Sequence, residues 1–354
     1  MVNATSDLLT HAIDALANRR DLSADQTAEV LAEIMSGNAS DVQIAAFLIA
    51  LRTKGETVEE LAGLARTMRG FAASVTVARD GLLDTAGTGG GRRTFNVSTT
   101  AALIAAGAGC TVAKHGNRSA TGLSGSADVL EALGARIDLT PGAVARCIDE
   151  VGFGFMFAPA HHQATRYVMP VRAQLAVRTI FNFLGPLTNP AGAPRQLIGV
   201  ADPAYLEKMA GALALLGTEH ALLVSSHDGL DELSISAPTR VVEVLDGAIS
   251  SYDVAPADVG LKVARAEEIP GGDPQQNADT ARRIFAGETD RAHPGRAARD
   301  LAVLNAGAAI YAGGGAPTLA EGVSAAQEAI DSGAAASALE RFVTATQRLA
   351  PLRG

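Results

Sequence analysis

Residues 84–99 read Asp84-Thr85-Ala86-Gly87-Thr88-Gly89-Gly90-Gly91-Arg92-Arg93-Thr94-Phe95-Asn96-Val97-Ser98-Thr99, and this stretch decides the fold. It follows a short apolar run at Leu82–Asp84 and leads into a longer one at Ser98–Ala108, the pattern of a strand, a glycine-rich turn and a helix. Glycines without a Cβ can take positive φ and let the backbone approach an anion. The helix start supplies unpaired N–H groups and the positive end of its dipole. Asn96, Ser98 and Thr99 add side-chain donors. Taken alone, the glycines fit an anion cradle and an ordinary turn capped by Ser98 equally well. The turn does not end in Gly-Lys-Ser/Thr and lacks the GxGxxG spacing, which excludes a Walker loop and a dinucleotide fingerprint. Arg92 and Arg93 suit an anion, although loop arginines are commonly just solvated.

Outward from this stretch, short apolar runs alternate with helical ones. Thr111–Ala113 precedes Ser126–Leu133, and after Arg195 come strands at Leu197–Val200 and Ala221–Val224 around a helix at Pro203–Leu216. Such alternation predicts a parallel sheet. Residues 1–72 instead carry helical periodicity, broken near Arg19–Leu22, Gly37–Ser40 and Lys54–Thr57. Ser23 stands three residues before Gln26, the capping-box spacing, and Ser40 precedes a run from Val42 to Leu51 that is apolar on nearly every face, a buried helix or an oligomer contact. Gln163–Phe183 reads as helical again, and Pro274–Leu349 is mostly helical with a break at Gly313-Gly314-Gly315. The expected α/β architecture is a small all-helical domain from 1–75 and 163–192 beside a larger α/β domain from 76–162 and 193–354. Its central sheet is expected to be mostly parallel, with helices around it.

With 354 residues, 47% hydrophobic, 19% charged and 37 glycines, the chain has the composition of a globular protein rich in small side chains. A net charge of −9 argues against nucleic-acid and anionic-membrane partners, while leaving room for a local basic pocket. Cys110 and Cys147 lie in apolar or helical stretches and make no disulfide framework. No basic segment followed by a continuous apolar core opens the chain, and no run reaches bilayer length. The expected location is therefore the cytoplasm.

A second cluster follows the strand at Thr111–Ala113: Lys114-His115-Gly116-Asn117-Arg118-Ser119, then Gly122 and Gly125-Ser126-Ala127-Asp128. Ionisable groups at a strand's carboxyl end lie where open α/β sheets bind ligands. A lone histidine is more often structural, but the company of Lys114, Asn117 and Arg118 points to a polyanion and an aromatic acid. His227-Asp228-Gly229-Leu230-Asp231-Glu232 follows another strand, and adjacent acids can hold Mg²⁺ together with substrate phosphates, although such a pair alone is usually a solvated turn. Adjacent His161 and His162 rarely point the same way, and no third ligand stands at useful spacing, so zinc is not expected.

These pieces in order, GTGG with TFNVST, VAKHGNRS, GSADVLEALG, FMFAPAHH, PVR, VRTIFNFLGPLTNP and DGLDE, resemble the anthranilate phosphoribosyltransferases over roughly residues 5 to 350. The resemblance implies transfer of the phosphoribosyl group of 5-phosphoribosyl 1-pyrophosphate to the amine of anthranilate, a step of tryptophan biosynthesis, by a homodimer joined through its helical domain. It implies phosphoribosyl pyrophosphate at Gly87, Thr88, Gly89, Gly90, Thr94, Asn96, Ser98, Thr99, Lys114 and Ser126. Two Mg²⁺ ions would be held by Asp231 and Glu232 with Ser98. Anthranilate would lie at Gly87, His115, Asn117, Ala158, Pro159, His162, Tyr167 and Arg172, with Arg172 pairing its carboxylate, His115 orienting or accepting the amine proton and Gly116–Gly125 folding over the ribose. Arg178 is expected to brace the helical segment. The family usually has Asp-Gly after GTGG; here Gly91-Arg92-Arg93 leads straight to Thr94, one residue shorter and without the carboxylate. Two other readings are a pyrimidine nucleoside phosphorylase, which needs no magnesium pair, and a nucleic-acid-binding relative, which the charge and the retained Arg172 and Asp231-Glu232 oppose.

Overall fold

The computed structural model describes residues 7–119, 122–269, 271–288 and 295–351. Helices α1 (Asp7–Ala17), α2 (Ala24–Met35), α3 (Asp41–Lys54) and α4 (Val58–Phe71) come first. Ser23, Ser40 and Thr57 each cap a helix, with Gln26, Gln43 and Glu60 reaching back to complete the box. Buried Glu60 also accepts from the Leu22 amide at 3.0 Å and from Lys54 Nζ at 3.0 Å, so one carboxylate ties two inter-helix turns together.

The α/β part contains β1 (Leu83–Gly87), α5 (Val97–Gly107), β2 (Val112–Gly116), α6 (Ser126–Ala132), α7 (Pro141–Val151) and β3 (Phe153–Phe157). Next come α8 (Ala158–His161), α9 (Met169–Leu175) and α10 (Phe181–Leu184), then β4 (Arg195–Gly199), α11 (Leu206–Leu215), β5 (His220–Ser226), β6 (Thr239–Leu245) and β7 (Ala248–Val254). Helices α12 (Pro274–Phe285), α13 (Gly295–Ala312), α14 (Leu319–Asp331) and α15 (Ala334–Leu349) complete the chain. The seven strands run in the order β3-β2-β1-β4-β5-β6-β7, with β1 to β5 parallel and β6 and β7 antiparallel. Strand order therefore reverses at β1: the chain builds β2 and β3 on one side of it and β4 on the other. The crevice beyond the carboxyl ends of β1 and β4 is a topological switch point, where such sheets bind ligands.

The strand expected at Thr111–Ala113 extends to Gly116, so Lys114 and His115 belong to β2 rather than to a loop after it, paired in register with Phe155 and Met156 of β3. A strand covered on both faces does not alternate in polarity, and a lysine within it looks like a terminator. The helical reading of 163–183 is broken in fact: a 3-10 turn at Gln163–Tyr167 and α9 end at Ala176 in the left-handed region, φ 52°, before α10 begins. A short strap, residues 176–179, joins the two helices.

Helix α5 is buried on almost every face and packs chiefly against α13 and α15, which makes it the axis of the larger core. A second core joins α1 to α4 with Val168, Val171 and Phe181 and runs on into α11 and one face of β4 to β6. Among the described residues, no helix is long and apolar enough to cross a membrane.

Candidate active site

The switch-point crevice is lined by the β1–α5 loop on one wall and the β5–β6 loop on the other. Gly89 and Gly90 hold φ of 66° and 99°, so the loop doubles back in a conformation that side-chain-bearing residues resist. Thr88 is fixed by its amide to the Gly199 carbonyl at 2.8 Å and by its hydroxyl to the Ala201 amide at 3.0 Å. Thr94 bonds back to the Phe95 carbonyl at 3.0 Å. Asn96 does not cap α5 through its side chain. Its amide instead holds Ser124 and Asn277, at 2.9–3.1 Å, and so ties the loop to α6 and α12.

Lys114 is almost wholly buried beneath this loop, donating to the Thr85 carbonyl and, at 3.4 Å, to Ser98 Oγ. Burial pushes its ammonium down to about 8, against the pull of Asp84 and Glu232. Glu232 takes the amide of Ser98, at the first turn of α5, and burial with the neighbouring Asp231 charge pushes its carboxyl up to about 8. Burial raises Asp231 too, although Arg178 and the Gly91 amide pull the other way. Two adjacent acids, both raised and short of cationic partners, form a site that a divalent cation would relieve. Among the described residues no group of three or more His, Cys, Asp or Glu side chains gathers to hold a metal ion.

Behind the site, Asp84 accepts from the His115 amide at 3.0 Å and from Asn189 Nδ2 at 2.7 Å, while Asn189 also donates to the Ala113 carbonyl at 2.8 Å. This buried bracket clamps β1, β2 and the chain returning from α10. Sequence reading missed it, although an aspartate inside an apolar run was the available signal. The His115 ring faces the His162 ring, centroids 5.0 Å apart, and its Nε2 has no hydrogen-bond partner among the described residues. Burial first, then His162 and His161, lowers His115 to about 3, and burial lowers His162 to about 4. Both rings are therefore neutral near pH 7, so one nitrogen of His115 can accept a proton while the other keeps its N–H for the Gly185 backbone.

Unfolded histidines titrate near 6.5, above both folded values, so the pair stabilises the fold fully above pH 6.5 and loses that contribution as pH falls from 6.5 toward 4. The loss approaches about 1.4 kcal/mol per pH unit for each ring. Urea midpoints at pH 7 and pH 5 should therefore fall further for the wild type than for His162→Asn. Equal falls would mean that the rings are not held neutral.

Arg172 lies half-buried on α9, 5.4 Å over Phe181, and among the described residues its side chain bonds Asn182 Oδ1 at 3.3 Å and Met169 S at 3.6 Å. No carboxylate among the described residues pairs with it. Ala158 and Pro159 open α8 directly after β3, on the sheet edge shared with His115. Asn117 is exposed and turns its Oδ1 to the Arg118 amide at 2.7 Å, and Tyr167 packs against the Gly37 turn under Arg166. Ser126 starts α6 beside Gly116. Within Gly116–Gly125, Ala120 and Thr121 lie outside the described residues.

The loop arginines do other work than the sequence indicated. Arg92 bonds Asp228 at 3.1 Å and the Ala266 carbonyl at 3.1 Å, bridging the two walls. Arg118 is engaged by Asp128 and Glu131 at 2.6–3.0 Å. Arg178 does not brace the helical segment through its side chain: only its carbonyl does so, accepting from Arg52 at 2.8 Å, while the guanidinium lies on Gly90.

Residues 10–72 match the helical bundle domain of a glycosyl transferase family, and residues 79–336 match that family's a/b domain. The anthranilate phosphoribosyltransferase of Rubrobacter xylanophilus is 52% identical over 97% of this chain and 99% of its own. The chain belongs to the anthranilate phosphoribosyltransferases. Among solved members of that family, the Thermus thermophilus enzyme superposes with a TM-score of 0.88 at 45% identity, covering 95% of this chain and 99% of that one. The Saccharomyces cerevisiae enzyme, solved in complex with PRPP and Mg, gives 0.88 at 28% identity, covering 97% and 99%.

Proposed function

We propose that the switch-point crevice is where this chain carries out the family's reaction, transfer of the phosphoribosyl group of 5-phosphoribosyl 1-pyrophosphate to the amine of anthranilate in tryptophan biosynthesis. The observation that carries this reading is the half-buried Asp231-Glu232 pair facing the first turn of α5 and the glycine loop, with Lys114 beneath. In it, phosphoribosyl pyrophosphate lies along Gly87–Gly90 and Thr94, with Asn96, Ser98, Thr99, Lys114 and Ser126 around it. Asp231 and Glu232 with Ser98 hold two Mg²⁺ ions, which when bound offset the charge gathering on the departing pyrophosphate. Loop amides and Lys114 share that load.

Anthranilate enters between His115, Asn117, His162, Ala158 and Pro159, beside Gly87 and with Tyr167 on the helical side, and Arg172 takes its carboxylate by paired N–H donors. The arylamine is already neutral near pH 7. Holding it against the sugar carbon therefore supplies much of the acceleration, and its proton leaves late. The working form is a homodimer joined through α3, where Val42 and Ile49 present apolar side chains outward, and its place is the cytoplasm. The decisive experiment mixes purified protein with anthranilate, phosphoribosyl pyrophosphate and Mg²⁺ and follows loss of anthranilate fluorescence. Consumption is expected only with metal. Consumption that persists in a chelator, or none with metal present, would overturn the reading.

A further inference from the structure

We propose that Arg178 is a further substrate-binding residue, one that grips the pyrophosphate of the sugar substrate from above the glycine loop. The inference rests on the proposed crevice reading and extends it to a side chain on the strap between α9 and α10. Arg178 is carried by the 176–179 strap, which the left-handed turn at Ala176 swings away from α9 and which the Arg52 guanidinium anchors at 2.8 Å through the Arg178 carbonyl. That anchoring fixes the backbone and leaves the side chain to reach across the crevice. Its guanidinium rests on the loop itself: a Cβ at Gly90 would stand 1.9 Å from Nη2. The loop's positive-φ turn thus presents bare backbone to a planar cation.

The charge beside it is that of Asp231. Yet among the described residues the guanidinium donates no hydrogen bond and makes no ion pair within 4.0 Å of a carboxylate, in contrast to Arg92 and Arg118, each of which is tied to acids. A forked donor with its N–H groups unspent, on the phosphate loop and beside the acid pair, matches a bidentate phosphate contact. The same short strap links Arg172 to Arg178, so one segment addresses both substrates, the carboxylate of the acceptor at one end and the leaving group of the donor at the other.

The test is calorimetric titration of inorganic pyrophosphate with Mg²⁺ into the full-length wild type, Arg178→Gln, Arg178→Lys, Arg172→Gln and Glu232→Gln, with KM measured for both substrates. Arg178→Gln should weaken pyrophosphate binding and raise the KM for phosphoribosyl pyrophosphate by about 10- to 100-fold, as loss of charge-assisted hydrogen bonds requires. Arg178→Lys should fall between, and Arg172→Gln should leave pyrophosphate binding unchanged. Wild-type affinity in Arg178→Gln overturns the proposal alone, as does a variant that needs more Mg²⁺ but binds pyrophosphate normally once metal is saturating, which would make Arg178 a mere counter-ion of Asp231. An equal rise in the anthranilate KM also overturns it. No binding by the wild type, with Glu232→Gln indistinguishable from it, overturns the proposal together with the crevice reading.

Discussion

Glu232→Gln should lower kcat/KM by about 10²- to 10³-fold, because the variant keeps the shape of the side chain while removing one of two charges that would hold the metal, a loss of several kcal/mol. The expected signature is a shift of the Mg²⁺ dependence to higher concentration, with the KM for anthranilate little changed. The effect should be larger than for most single contacts, since Glu232 touches three parts of the site at once: the Ser98 amide, the Lys114 charge and the Asp231 charge all bear on it. Steady-state rates across a magnesium series check this. An unaltered magnesium profile would remove the acid pair from the metal site.

Arg172→Ala should raise the KM for anthranilate by about 10- to 100-fold, the loss expected when a charge-assisted pair to a carboxylate disappears. Phosphoribosyl pyrophosphate binding should stay nearly intact. The selectivity is the sharp part of this expectation: Arg172 sits on α9 against Phe181 and Asn182, apart from the glycine loop, so its removal leaves the phosphate grip untouched. Separate titrations of the two substrates decide it, and equal losses for both would take Arg172 out of the acceptor site.

Much of this architecture was legible because its signals are local. The alternation of short and long apolar runs announced the parallel strands, and Ser23 with Gln26 announced a helix start that the structure reproduces. The antiparallel hairpin of β6 and β7 went unread even though Asp246-Gly247, both at positive φ, is the strongest short-range sign of such a turn. Strand β3 went unread because Phe153–Phe157 is a brief continuous apolar run, which periodicity cannot separate from helix. Around the crevice, residues that lie on motifs could be named from sequence, while Asp84, Asn189 and the direction of Arg178 could not. Asn189 meets Asp84 across 105 positions of chain, and no spacing rule encodes a contact of that length. Lys114 and His115 stood out by residue type but were misplaced in a loop, since a fully covered strand hides its own end.

The shortened loop also limits how this protein can diverge. A Cβ at Gly91 would stand 2.4 Å from Asp231 Oδ1, and one at Gly199 would stand 1.8 Å from the Asp231 carbonyl, so the acid that would bind metal is wedged between two residues that cannot grow. A carboxylate at position 91 itself requires the turn to lengthen first, because a side chain there meets Asp231 before it meets solvent. Insertion must precede substitution, and the order of mutational steps is thereby constrained by a gap narrower than a methyl group.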